Sequence, residues 1–423
     1  MKQTIKKTVL ENGITILTDY MPHAYSAAVG VWIPRGSRHE AKDEFGLSHF
    51  YEHLVFKGTE NRTALEIAHA IEDRGGNLEA YTTRQETGFY AQVESGDVPL
   101  AIDVISDMLM HPRFDKKEME KERGVIIEEV HSYDDIPEEL VGDIFNAIHF
   151  KGCGIAHSIT GTVKQVKSLT RKQMLKYGHQ VTDEIPLYVC ASGKVNHQQL
   201  VELCAEKFEQ KKTISAAPDD IYTPNQSTKL VQKSDITQSN LFWGLSFDRS
   251  LTNELDRCAF SIFNVAMGAG MASRLFQKVR EDKGLAYSVY STSDLYKDCI
   301  DWGVSIATEP HKLNTALSLS VNEVKKFLRH GFLKDELERT KTNILGSMHL
   351  GADNPEKRVV RLAEQMLHIG EIHTMEDVEK KIRAITEDEV LATINRLFKT
   401  AKYSIAVVEP KSKKKTVLDV DLF

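Results

Sequence analysis

Shifted by 218 positions, the second half of this 423-residue chain falls on the first. Phe114 lands on Phe332, Lys116 on Lys334, Glu118 on Glu336, Glu120 on Glu338 and Ile126 on Ile344. His131 then lands on His349, Asp135 on Asp353, Pro137 on Pro355 and Glu138 on Glu356. After a few residues of slippage, Leu169-Thr170 falls on Ile385-Thr386. A repeat of this length confines the chain to two copies of one domain, each large enough for its own core. Short alternating strands and longer helical patterns recur in the same order in both copies. The expected fold class is α+β: two homologous domains, each a mainly antiparallel sheet packed with helices. Residues 1–210 are expected to form the first domain and 230–423 the second. Residues 211–229, rich in Lys, Ser, Pro, Asp and Asn and without periodicity, read as the linker.

The two copies differ in their polar residues. Only the first contains His49-Phe50-Tyr51-Glu52-His53. Leu47, Phe50, Tyr51 and Leu54 recur at spacings of three and four, which predicts a helix. On a helix, positions i and i+4 share a face, so both imidazoles can take one metal ion. Glu52 lies at the edge of that face, able to reach a water without being a ligand. This is the H-E-x-x-H zinc motif written backwards, with the same chemistry open to it: a zinc-activated water and a carboxylate base. The plain alternative is a surface helix whose His and Glu are solvated.

A third ligand has to come from elsewhere. On the long helical pattern from 115 to about 131, Glu122 falls on Thr340 and Glu129 on Ser347 in the second copy. Glu129 is thus the natural third ligand, and Glu122, two turns earlier on the same face, is placed to orient a ligand histidine. Glu128 competes with Glu129, because the repeat puts Gly346 opposite it and does not separate the two.

Composition narrows the remaining classes. A net charge of −7 argues against nucleic acid as a partner. The five cysteines are scattered with no C-x-x-C pair, so they read as reduced thiols. The first ten residues lack an apolar signal core, and no run of 18 apolar residues exists. A protein that does not span a membrane, located in the cytoplasm, is expected. Gly268-Ala269-Gly270 is followed by Ser273 and Arg274 without a Walker lysine. It reads as a close packing point or hinge, not a phosphate loop.

His49-Phe50-Tyr51-Glu52-His53 followed 76 residues later by Glu129 resembles the pitrilysin-like zinc peptidases, the family of insulin-degrading enzyme and the mitochondrial processing peptidase β-subunit. Residues Gly75 to Thr82 resemble that family's active-domain edge strand. Glu122 to Glu129 resemble its third-ligand helix, with the ligand at the last glutamate. Ser273-Arg274-Leu275-Phe276, Arg280-Glu281 and Gly284-Leu285-Ala286-Tyr287 resemble the signature of its inactive-type domain. The chain's length and single pair of repeats resemble the short bacterial members.

The resemblance implies a zinc metalloendopeptidase acting on extended or unfolded peptides. His49, His53 and Glu129 would hold Zn2+, and Glu52 would be the general base. Leu78, Glu79, Ala80 and Tyr81 would hold substrate by strand addition. Arg280 and Tyr287 would reach the substrate or the developing oxyanion from a partner subunit in a homodimer. The plain alternative pairs Arg280 with Glu281 and puts Tyr287 in a strand core. Rival readings are a non-catalytic scaffold or regulatory homologue, or a catalytic subunit that needs a motif-less hetero-partner.

Overall fold

The computed structural model describes residues 3–208, 222–248, 253–412 and 416–419. Most of the expected linker and part of the lysine-rich tail after Lys411 lie outside these residues. The first sheet comprises β1 (Thr4–Val9), β2 (Thr15–Tyr20), β3 (Ser26–Ile33), β4 (Asn77–Thr82), β5 (Thr87–Glu94) and β6 (Tyr188–Gly193). Its spatial order is β1-β2-β6-β3-β5-β4, antiparallel except for the parallel pair β2–β6. The second sheet comprises β7 (Thr228–Lys233), β8 (Ser239–Asp248), β9 (Ala286–Leu295), β10 (Cys299–Thr308) and β11 (Lys402–Pro410). Its order is β7-β11-β8-β10-β9, with β7–β11 the parallel pair. Each domain is therefore a mixed, mainly antiparallel sheet packed with helices. β7 starts at Thr228, so the last two residues of the expected linker belong to a strand, recruited by pairing with β11.

The compact units are not contiguous in sequence. Unit 1 comprises residues 1–131, 157–220 and 349–375, and unit 2 comprises 132–156, 221–348 and 376–423. The physical reason lies in the strands. β3 has seven of its eight residues buried, a pattern of strands covered on both faces. In unit 1 one face is covered by nearby helices, including Leu47–Val55, Val98–Met110 and Arg171–Asp183. The other face carries Leu17, Ala28, Trp32, Tyr90 and Cys190, and these pack on Val359, Leu362 and Ala363 of the helix Pro355–Glu364. Unit 2 has the corresponding arrangement. The helix Pro137–His149 lays Val141, Ile144 and Phe145 against Phe242, Ala406 and Val408. Pro137 and Pro355 are equivalent in the repeat, so the halves have exchanged equivalent helices.

Helix starts follow local chemistry. Thr63, Thr162, Thr170 and Thr386 each accept from the backbone N–H three residues on, within capping boxes closed by Glu66, Gln165, Gln173 and Glu389. A Cβ on Gly268 would lie 2.3 Å from Ser291 Oγ, so the glycine permits close packing of the helix Glu254–Gly268 on β9. The segment Phe276–Glu281 is π-helical. No helix among the described residues is long and apolar enough to cross a membrane.

His149 is fully buried in unit 2, with Nδ1 3.1 Å from Ser404 Oγ and Nε2 2.5 Å from Ser246 Oγ. Burial pulls its pKa down to about 4, against about 6.5 in an unfolded chain. A depressed pKa contributes stability that is present above the unfolded value and lost as pH falls through the folded one. Denaturant unfolding between pH 7 and 4 is expected to show that loss, with a shallower acid limb for His149→Gln.

Candidate active site

The helix Leu47–Val55 is apolar on one side. Leu47, Phe50, Tyr51 and Leu54 are buried in the core of unit 1, which turns His49 and His53 toward the long helix Lys116–Asp135. Its first turn is fixed by Glu40. One Glu40 oxygen accepts from Gly46 N–H at 2.8 Å and the other from Ser48 N–H at 2.6 Å. Burial pushes the Glu40 carboxyl up to about 8 against those hydrogen bonds. Gly46 has φ +88°, and a Cβ there would lie 2.6 Å from Thr160 O, so only glycine fits this entry to the helix.

Among the described residues, the one group of three His, Cys, Asp or Glu side chains able to hold a metal is His49, His53 and Glu129. Their ligand atoms lie within 4.8 Å of one another. His49 Nε2 is 3.6 Å from Glu129 Oε1, and His53 Nε2 is 3.6 Å from Glu129 Oε2. A tetrahedral ion with bonds of about 2.1 Å separates its donors by about 3.4 Å, so two imidazoles and a carboxylate at this spacing fit zinc. Burial, and then His53, lower the His49 pKa to about 3, which keeps its lone pair free.

Glu122 divides its carboxylate between His53 and Lys57. Oε1 is 2.9 Å from His53 Nδ1 and Oε2 is 2.8 Å from Lys57 Nζ. Burial alone would raise its pKa, but these hydrogen bonds win and hold it below the usual carboxylate range. Burial likewise opposes a charge on His53, yet the Glu122 hydrogen bond and the carboxyls of Glu52 and Glu129 hold it above its ordinary value. A carboxylate on Nδ1 fixes the ring and leaves Nε2 to face Glu129.

Glu52 does not join the cluster of donors. It accepts from Thr82 Oγ1 at 2.5 Å. Burial raises its pKa, and Thr82 and His53 act against that shift. Thr82 ends β4, an edge strand of the sheet, which among the described residues pairs only with β5. Along β4, Leu78 and Ala80 pack on the main core, on the same face as Thr82, as the two-residue period of a strand requires. Glu79 accepts from Tyr90 OH at 2.9 Å, and Tyr81 OH accepts from Trp32 Nε1 at 2.9 Å.

Arg280 and Tyr287 belong to unit 2. The Arg280 guanidinium lies 4.7 Å above the Phe276 ring and 5.8 Å from that of Tyr287, and its Nε is 3.8 Å from Glu281 Oε1. Tyr287 is 73% exposed, which rules out the core-residue alternative. Sequence reasoning missed Glu40, Lys57 and Thr82. Of these, Thr82 was within reach of simple strand alternation from Ala80.

A two-domain α+β chain with a His, His, Glu donor cluster on one domain defines a narrow class. Residues 15–163 match the sequence profile of Insulinase (Peptidase family M16), and residues 168–344 match that of the Peptidase M16 inactive domain. The chain belongs to the M16 peptidase family. It is 32% identical over 420 residues to an uncharacterized zinc protease of Mycobacterium tuberculosis, covering 97% of this chain and 94% of the relative. It is 31% identical over 415 residues to one of Bacillus subtilis, covering 96% and 98%. A crystal structure of a protease from Helicobacter pylori shares the fold, with a TM-score of 0.89 at 18% identity over 97% of this chain and 100% of that one. A structure from Pseudomonas fluorescens described as a peptidase M16 inactive domain gives 0.87 at 17% identity, covering 97% and 99%.

The grip of Glu122 on His53 is expected to matter for metal and not for fold. Glu122→Ala should weaken zinc binding by about 10–100-fold. Competition with a chelator measures this, and the unaltered far-UV spectrum of the variant serves as the control.

Proposed function

We propose that this chain is a zinc-dependent endopeptidase that hydrolyses extended or unfolded peptides, with Glu52 as general base. The observation that carries the reading is a juxtaposition in unit 1. Three metal-type donors converge beside a half-buried carboxyl, and that carboxyl is tied through Thr82 to an open strand edge. His49, His53 and Glu129 would hold the zinc. When bound there, zinc supplies Lewis acidity toward a scissile carbonyl and makes an attacking water more acidic.

The chain's own residues do the rest. β4 offers unpaired backbone N–H and C=O groups to an extended peptide, which accounts for tolerance of sequence and rejection of folded substrates. Leu78 to Tyr81 would form that contact, with small Ala80 letting the peptide lie close. Glu52 takes a proton from the attacking water and passes it to the leaving amine as the peptide C–N bond breaks. Burial keeps its carboxyl basic enough to accept that proton, and Thr82 keeps one oxygen aimed. Glu122 and Lys57 hold the His53 ring. The names of the mycobacterial and Bacillus relatives, zinc proteases, support the reading.

The test measures bound metal and cleavage of an unstructured peptide together. The native chain is expected to hold about one zinc and to cleave, while Glu52→Gln keeps the zinc and loses cleavage by several orders of magnitude. A native chain that takes up no zinc under metal-replete conditions overturns the ligand assignment.

The resemblance further supports a homodimer in which Arg280 and Tyr287 act on a partner's substrate. Glu52→Gln and Arg280→Ala, each inactive alone, are then expected to regain activity when mixed and allowed to exchange subunits. Mixtures that stay inactive assign Arg280 to its own chain or to a structural role.

A further inference from the structure

The hairpin of β4 and β5 is held from both faces within unit 1. On one face Thr82 donates to Glu52. On the other lies the segment that unit 1 takes from the second half of the sequence, residues 349–375. There Tyr90 OH, which donates to Glu79 at 2.9 Å, also lies 3.3 Å from Glu356 Oε1. The tightest contact is at the hairpin turn. His368 Nε2 is 2.8 Å from Glu86 Oε2, and its Nδ1 accepts from Gln85 Nε2 at 3.0 Å. With Nδ1 accepting, the ring carries its proton on Nε2, which touches Glu86 Oε2 without being aligned as a hydrogen bond to it.

This contact is buried. Glu86 is 3% exposed, and the His368 side chain is 14% exposed. The His368 imidazole is the ion-pair partner of Glu86 Oε2. Removing the partner of a buried acidic side chain is costly, so the imidazole helps to hold Glu86 in the turn. His368 sits in the π-helical segment Gln365–Ile369, which continues the helix Pro355–Glu364. Local widening of this kind changes the direction of side chains and recurs at functional sites.

The turn transmits what holds it. Thr83 N–H donates to Glu86 O at 2.8 Å, and Thr83 Oγ1 accepts from the N–H groups of Gln85 and Glu86, both at 3.1 Å. Only this closed turn separates Glu86 from Thr82. We propose that His368 is a positioning residue: with Gln85 and Glu86 it clamps the turn, and so fixes both Thr82, which aims Glu52, and β4. The second half of the chain would then contribute to the catalytic machinery through a residue far from any motif. The catalytic consequence rests on the peptidase reading above, but the clamp itself does not.

The experiment compares His368→Ala, Glu86→Gln, the double variant and His368→Gln in the full chain. It reads peptide cleavage, zinc content and amide hydrogen exchange. His368→Ala is expected to lower kcat by about 100-fold, the scale set by a small misplacement of a reacting group. Zinc content should be unchanged, and exchange should quicken within 77–90 while the rest of unit 1 stays protected. The double variant should be no worse than the poorer single one, because both remove the same contact. His368→Gln, which keeps an N–H near the place of Nε2, should restore most of the loss. A kcat within about twofold of native in His368→Ala would overturn the proposal. So would a loss of protection throughout unit 1 that His368→Gln does not repair, the mark of a purely structural pair. If the native chain cleaves no peptide, the peptidase reading fails and exchange alone judges the clamp. Faster exchange confined to 77–90 in His368→Ala then supports it, and unchanged exchange there sinks it.

Discussion

A sheet that is apolar on both faces needs two covers, and much of this molecule follows from that need. β3 buries seven of its eight residues, so water on either side would cost the fold its central strand. Local helices supply one cover, and the other comes from the opposite half of the sequence. Val359, Leu362 and Ala363 fill it in unit 1. Each large aliphatic side chain buried this way stabilises by roughly 1.5–3 kcal/mol, a large share of the total stability of any domain. Neither half of the sequence holds both covers for its own sheet. The domain as a structural unit and the repeat as a sequence unit are therefore different objects, and folding one copy alone would leave an apolar sheet face bare.

How much of this was legible follows from how local each feature is. The pairing of His49 with His53 depends only on the geometry of one helical turn, and it could be read directly. So could the capping boxes and the strands bounded by Gly and Asn. The Glu122 and Glu129 pair needed helical spacing plus the contrast between copies, and that contrast left Glu128 open. The exchange of helices was invisible for a physical reason. Periodicity says that a helix has an apolar face, not which sheet it covers. Because Pro137 and Pro355 are equivalent in the repeat, exchanging their helices leaves the kind of environment around every residue unaltered. Glu40 and Lys57 were unreadable because their partners are set by tertiary contact.

The exchanged segment does more than cover the sheet. It lies on the face of β4 and β5 opposite Glu52, where Tyr81 meets Trp32 and Glu79 meets Tyr90. An edge strand that keeps its hydrogen-bonding groups open invites pairing with stray chains, and natural proteins commonly blunt such edges. β4 stays an edge among the described residues and is backed by Tyr81, Tyr90 and Trp32. An open edge held rigid suits recognition of an extended chain, since little ordering remains to be done when the chain arrives.

Charge explains why the site holds together. Glu122 is balanced by Lys57 and His53 and stays ionised. Glu52 and Glu129 are not balanced in the same way, and burial raises the pKa of both. On the proposed assignment, a divalent cation between His49, His53 and Glu129 would favour the ionised carboxylate at Glu129 and couple ion binding to proton release. Because the three donors are assembled only by the fold, the same binding stabilises the folded chain, by about 4 kcal/mol when free metal exceeds its Kd a thousandfold.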